Sequence, residues 1–219
     1  MVSMQVVVEI DSSAFWKEKI TVKRQIRRGC FETNSSSTHA ICITKEDYIK
    51  GNYIDFEIGE FGWEFDTYSD LHSRASYLIT AIFNSNKEYA DEKLQQLKNI
   101  LDDNNIKYDI PTPKVDSWEY DGKTIYFYDI DGYIDHVGET KTFIEAVLSD
   151  SDRLMRYLFG DSMIITGNDN SDDYSDRMYV NEGEETTKWG TYTRYGDLKP
   201  EFDNYEVYKK GNWDYEETN

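Results

Sequence analysis

The chain has 219 residues, of which 38% are apolar and 15% aromatic, and it carries a net charge of −19. That length holds one large domain or two small ones and buries a core without disulfide or metal staples. The aromatic share, with eighteen tyrosines, excludes a disordered acidic tail, and the charge excludes nucleic-acid binding over most of the surface, because phosphate contacts need positive groups. An acidic protein is drawn instead to basic surfaces, the clefts of nucleic-acid-binding proteins among them. No apolar run approaches the length of a membrane span. The two cysteines, Cys30 and Cys42, have no apolar leader ahead of them, which predicts reduced thiols and a cytoplasmic location.

In chain order, Met4 to Ile10 and Lys19 to Ile26 read as strands. Residues 1–30 hold six basic groups against three acids, a balance of +3 that leaves −22 for the remainder. The densest chemistry follows at once, in Arg27-Arg28-Gly29-Cys30-Phe31-Glu32-Thr33-Asn34-Ser35-Ser36-Ser37-Thr38-His39. Hydroxyl and amide side chains compete with backbone pairing, so Thr33 to Thr38 is expected to form a tight loop with spare N–H groups on a concave face. Such a face suits an anion that Arg27 and Arg28 could clamp. A self-satisfied turn running into the apolar strand Ala40-Ile41-Cys42-Ile43 fits the same residues.

This block resembles the signature of a poorly characterised family of proteins from phages, prophages and other mobile elements of bacteria, especially Firmicutes. The likeness is specific over Arg27 to Ile43 and diffuse beyond. It implies a mobile-element origin and a role in countering host defence such as CRISPR immunity, and it carries no catalytic assignment. In that family the block sits close to the start, whereas about two dozen residues precede it here. Residues 1–22 are then an added strand or an upstream choice of start codon.

Past the strand at His39 to Ile43, Thr44-Lys45-Glu46-Asp47 predicts a short helix ended by Gly51. Tyr53 to Ile58 alternates, and Phe61, Trp63 and Phe65 repeat the pattern after Gly59-Glu60, which predicts an antiparallel hairpin. Its outer face holds Asp55, Glu57, Glu60, Glu64 and Asp66, either as a solvated face or as a row of charge that mimics phosphates. Leu71, Ala75, Leu78 and Ile82, then Ala90, Leu94, Leu97 and Leu101, predict helices over 70–84 and 87–102, broken at Asn84-Ser85-Asn86. Asn104 to Pro113 is the candidate linker. Asp121-Gly122 marks a second hairpin. A broken helix pair is expected over 140–159, with Ser151 as a cap and Gly160 as the stop, then a buried strand at Met163 to Ile165. In the last fifty residues one or two strands are expected, the clearest at Tyr205 to Lys209, with an irregular tail.

With three histidines in the chain, metal-free RNA cleavage would have to draw on His39 and His136 as base and acid, Arg27 or Arg28 as the cation, and Ser36 or Ser37 for positioning. No cofactor is expected. A divalent metal at Asp135-His136 with Asp169 stays open, and Asp169 to Asp173 is weak as a calcium loop because it lacks the central glycine and terminal glutamate. Glu182-Gly183-Glu184 resembles the paired glutamates of ADP-ribosyl transfer enzymes, but the arginine and serines lie too close together for that pattern. The sequence therefore predicts one α+β domain over 1–219, divisible near 104–113, mainly antiparallel sheet with three to four helices packed on it. Its expected partner is a host defence protein with a basic nucleic-acid-binding cleft. The alternative is a ribonuclease that takes RNA at the Arg27 to His39 block.

Overall fold

Four consecutive apolar residues, Ala40 to Ile43, need cover on both faces of a strand, and they sit in the middle of the principal sheet. The computed structural model describes residues 37–62, 66–135, 140–168, 175–188 and 190–210. In it, β1 (Ser37–Thr44) lies between β12 (Tyr205–Lys210) and β9 (Met163–Asn168), and β4 (Asp66–Tyr68) closes the sheet in the order β12-β1-β9-β4, antiparallel throughout. Ser37 and Thr38 are paired with Asn168 and Gly167, so the expected loop gives way to strand at its last two residues.

The register sorts side chains by parity. Ile41 and Ile43 on β1, with Ile164 on β9, face the main core, while Ala40, Cys42 and Ile165 join Met178 and Phe202 in a smaller cluster on the other face. Four helices build the main core: α1 (Leu71–Phe83), α2 (Lys87–Asp103), α3 (Thr140–Leu148) and α4 (Ser151–Phe159). In α1 every residue from Arg74 to Phe83 is buried, the mark of a helix enclosed on all sides. The α2 helix buries only Ala90, Leu94, Leu97 and Leu101, one stripe of an otherwise polar helix. Asp70, Asn86 and Asp150 cap α1, α2 and α4, each accepting a backbone N–H three residues on. The cap of α4 is thus Asp150, one residue before the expected Ser151.

The second face carries less. A short helix, α5 (Ser175–Met178), leads into a long hairpin of β10 (Tyr179–Thr187) and β11 (Gly190–Leu198), and a 3-10 turn at Pro200–Phe202 precedes β12. The last fifty residues therefore hold more strand than their tyrosine-rich, glycine-broken sequence suggests.

Two expectations fail for the same reason, which is that partners come from far along the chain. The segment after Thr44 is not helical: the Glu46 N–H turns back onto Thr44 Oγ1 at 3.1 Å, but the Lys45 N–H is taken by Asn204 O at 2.8 Å and no helix follows. Tyr53 to Phe61 does not fold on itself either. Strand β2 (Tyr53–Asp55) pairs in parallel with β5 (Lys107–Asp109), inside the expected linker, and β3 (Glu60–Phe61) pairs in parallel with β8 (Tyr133–Ile134). Ile106, next to β5, lies in the same core cluster as residues from both sides of 104–113.

The Asp121-Gly122 turn forms as expected. Asp121 at φ 49° and Gly122 at φ 70° supply the two positive angles of a type I′ turn, joining β6 (Lys114–Tyr120) to β7 (Lys123–Asp129).

Candidate functional site

His39 stands on β1 at the edge of the serine block, with the same parity as Ile41, so its ring points into the helical core. It is 0% exposed, and its Nδ1 shares a 2.6 Å hydrogen bond with the Tyr77 hydroxyl of α1. Tyr77 is itself sealed, stacked edge-on to Phe61 and Phe143, and burial pushes its phenol well above the ordinary range. Gly62, at φ +104°, passes so close that an added Cβ would lie 2.6 Å from His39 Nε2 and 2.9 Å from Asp135 Cβ. Glycine meets both demands at once, the left-handed angle and the close approach.

A second buried polar group lies one turn earlier on α1. The Arg74 guanidinium, 4% exposed, donates to three carbonyls: Ser69 O at 2.8 Å, Leu158 O at 2.8 Å, and Ser162 O. Burial lowers its pKa, and nearby Tyr157 and Asp70 oppose that shift. Leu158 belongs to the last turn of α4, so the cation sits where helix carbonyls lack partners and the dipole is negative. Tyr157 donates its hydroxyl to Arg74 O at 2.8 Å, tying α4 back to α1. Neither Arg74 nor Tyr77 stands out in the sequence, because Arg74 lies in a polar first turn, Tyr77 in an apolar run, and each acquires its partners only by packing. Cys42, on the other face of β1, is a reduced buried thiol whose burial raises its pKa to about 12.

A general base must reach its substrate, and His39 is enclosed and engaged by Tyr77. The other groups expected to act with it, Arg27, Arg28, Ser36 and His136, lie outside the described residues; Ser37 is the first residue of β1. Asp169 to Asp173 also lies outside them. Among the described residues no three His, Cys, Asp or Glu side chains gather as a metal site.

The acidic residues are placed differently. Asp55 ends β2, Glu57 follows it, Glu60 begins β3 and Asp66 begins β4, and all four are exposed. Asp55, Glu60 and Asp66 belong to three separate short strands of three different sheets, and Glu57 lies between β2 and β3. Glu57 faces the exposed His72 of α1, with Oε2 3.6 Å from His72 Nε2. Glu64 lies outside the described residues. Further along, Tyr53 donates to Asp109 Oδ2 at 2.7 Å, and that carboxylate raises the phenol to about 12. Asp91 takes both Lys87 Nζ, at 2.5 Å, and the Tyr128 hydroxyl, and the lysine holds its carboxyl below the usual range.

Aromatic side chains supply the other exposed feature. On β6 every residue is exposed, with Trp118 at 53% and Tyr120 at 66%. These two rings point to the same face and stack at 6.1 Å and 28°. The Asp121-Gly122 turn made this hairpin legible, whereas the outward aim of its rings was not.

No family model, no curated protein and no solved structure matches the chain. Among the described residues no helix is long and apolar enough to cross a membrane.

Proposed function

We propose that this chain is a binding protein of phage or mobile-element origin that inhibits a host nucleic-acid-directed defence. It occupies the basic nucleic-acid cleft of a partner such as an RNA-guided nuclease, in place of nucleic acid. The observation that supports this reading is the outward placement of Asp55, Glu57, Glu60 and Asp66 on a chain of net charge −19. Exposed carboxylates on a strongly acidic chain steer it toward cationic clefts and away from phosphates. Exposed tyrosine and tryptophan rings add contact area at low entropic cost, as they do in other binding surfaces. The resemblance of the Arg27 to Ile43 block to phage and prophage proteins supplies the biological setting.

The ribonuclease reading gains nothing from His39, whose ring has no opening to solvent.

The test is binding of the chain to RNA-guided nucleases across a salt series. Affinity that falls at least tenfold between about 0.05 and 0.5 M salt fits a partner held by charge, because the screening length shrinks over that range. Affinity that ignores salt contradicts the reading. Incubation with labelled RNA, with and without chelator, gives no cleavage under this reading.

A further inference from the structure

We propose that the outer edge of β6 is the docking strand for an extended segment of the partner that carries lysine or arginine, added as a third strand to the β6–β7 hairpin. The inference rests on the reading above, since it supplies the contact by which a basic partner is held.

Among the described residues, strand β6 pairs with β7 on one side only. The far edge of β7 is approached by Asn86, the cap of α2, through a bridge to Phe127, and Tyr128 packs edge-on against Phe83. Among the described residues the free edge is therefore the one on β6. In a two-residue hairpin the pair flanking the turn, here Tyr120 and Lys123, exchanges both hydrogen bonds, and the pattern alternates from there. It follows that Val115, Ser117 and Glu119 aim their N–H and C=O groups outward. The Ser117 N–H agrees: it donates not to a strand but to Asp116 Oδ1 at 2.7 Å.

That carboxylate guards the edge, as charged residues guard other free edges. A second copy of this chain would set its own Asp116 and Glu119 against the same strand, and a nucleic acid brings phosphates; both are disfavoured. A lysine- or arginine-bearing strand instead draws the Asp116 carboxylate into an ion pair and frees the Ser117 N–H for main-chain pairing. Glu119 and Asp121 extend the negative charge along and beyond the strand, with Lys114 at its start and Lys123 across the turn as the basic exceptions. The stacked Trp118 and Tyr120 rings offer a flat seat for the cationic side chains that alternate on that face.

The probe is a synthetic nine-residue peptide of alternating lysine and threonine, with a glutamate–threonine peptide as control, added to the full chain at low salt. Hydrogen exchange is read by NMR at the amides of Val115, Ser117 and Glu119. The expected result is exchange slowed at least tenfold at these amides by the lysine peptide and not by the control. Ser117→Pro should weaken the lysine peptide at least tenfold while its circular dichroism and urea unfolding match the parent. Trp118→Ala should weaken it about threefold, the weight of one exposed cation–π contact. Unchanged exchange at the three amides with the peptide bound, or binding by Ser117→Pro equal to the parent, overturns the proposal. If that proline variant binds normally while joint neutralisation of Asp55, Glu57, Glu60 and Asp66 abolishes binding, the edge strand is wrong and the acidic-surface reading stands. If the lysine peptide does not bind the parent at all, the docking strand falls, and the acidic-surface reading is decided by the salt series against RNA-guided nucleases.

Discussion

The helical side of the principal sheet and the β6–β7 hairpin are built on opposite plans. Around α1 even the polar groups are sealed: His39 meets Tyr77, and Arg74 meets three carbonyls. On β6 even the large aromatic rings are wet, and among the described residues one whole strand edge lacks a strand partner. Buried polar groups carry a large penalty when a partner is removed, whereas exposed rings carry almost none. The helical side thus holds stability, and the hairpin is free to serve contact.

The contrast is sharpest at Tyr77. Tyr77→Ala empties a site among Phe61, Phe143 and His39 and should lower unfolding free energy by about 4 kcal/mol in urea titration. A loss below about 1 kcal/mol would show that the core there is loose. Next comes Arg74→Met, which keeps the aliphatic stem and strips the donors from Ser69, Leu158 and Ser162 carbonyls. The expected loss is about 3 kcal/mol by the same titration, and a neutral outcome would mean that water or other donors replace the guanidinium.

Asp70→Ala removes the α1 cap and should cost about 1 kcal/mol. Hydrogen bonds from Ser73 hold the Asp70 carboxyl below its usual value. A carboxylate with a lowered folded-state pKa stabilises the fold fully above the ordinary carboxylate range and loses that contribution as pH falls through the folded value. The difference between parent and Asp70→Ala should therefore be full at pH 7 and shrink in acid. A difference that does not depend on pH would assign the effect to helix propensity rather than to the charged cap. The smallest effect is expected on the hairpin: Trp118→Ala should change stability by no more than about 0.5 kcal/mol, and a larger loss would place the ring in the core.

What the sequence disclosed follows the same division between local and distant causes. The buried stripe of α2 was legible because Ala90, Leu94, Leu97 and Leu101 are apolar positions at helical spacing in a polar segment, and the Asp121-Gly122 turn was legible because its two residues set it alone. The α+β class followed from those elements. Parallel pairing of β2 with β5 and of β3 with β8 was not legible, since each strand meets a partner some fifty to seventy residues away and the alternation of Ile54 and Phe56 fits any pairing. His39 drew notice for its chemistry, but its enclosure depends on Tyr77, 38 residues on, and on the close pass of Gly62. Arg74 reads as a surface residue until Leu158 and Ser162 arrive from α4 and its exit loop. The exposure of Asp55, Glu57, Glu60 and Asp66 was readable from alternation, but the distribution of Asp55, Glu60 and Asp66 over three sheets was not.

The central claim is that a basic cleft accepts this acidic surface in the place of nucleic acid. Competition measures it directly: the chain, bound to an RNA-guided nuclease, is titrated with that nuclease's own guide RNA or target DNA. Displacement of the chain in proportion to nucleic-acid occupancy is the predicted result. A ternary complex in which nucleic acid and the chain are held together, with neither affinity changed, would contradict the account.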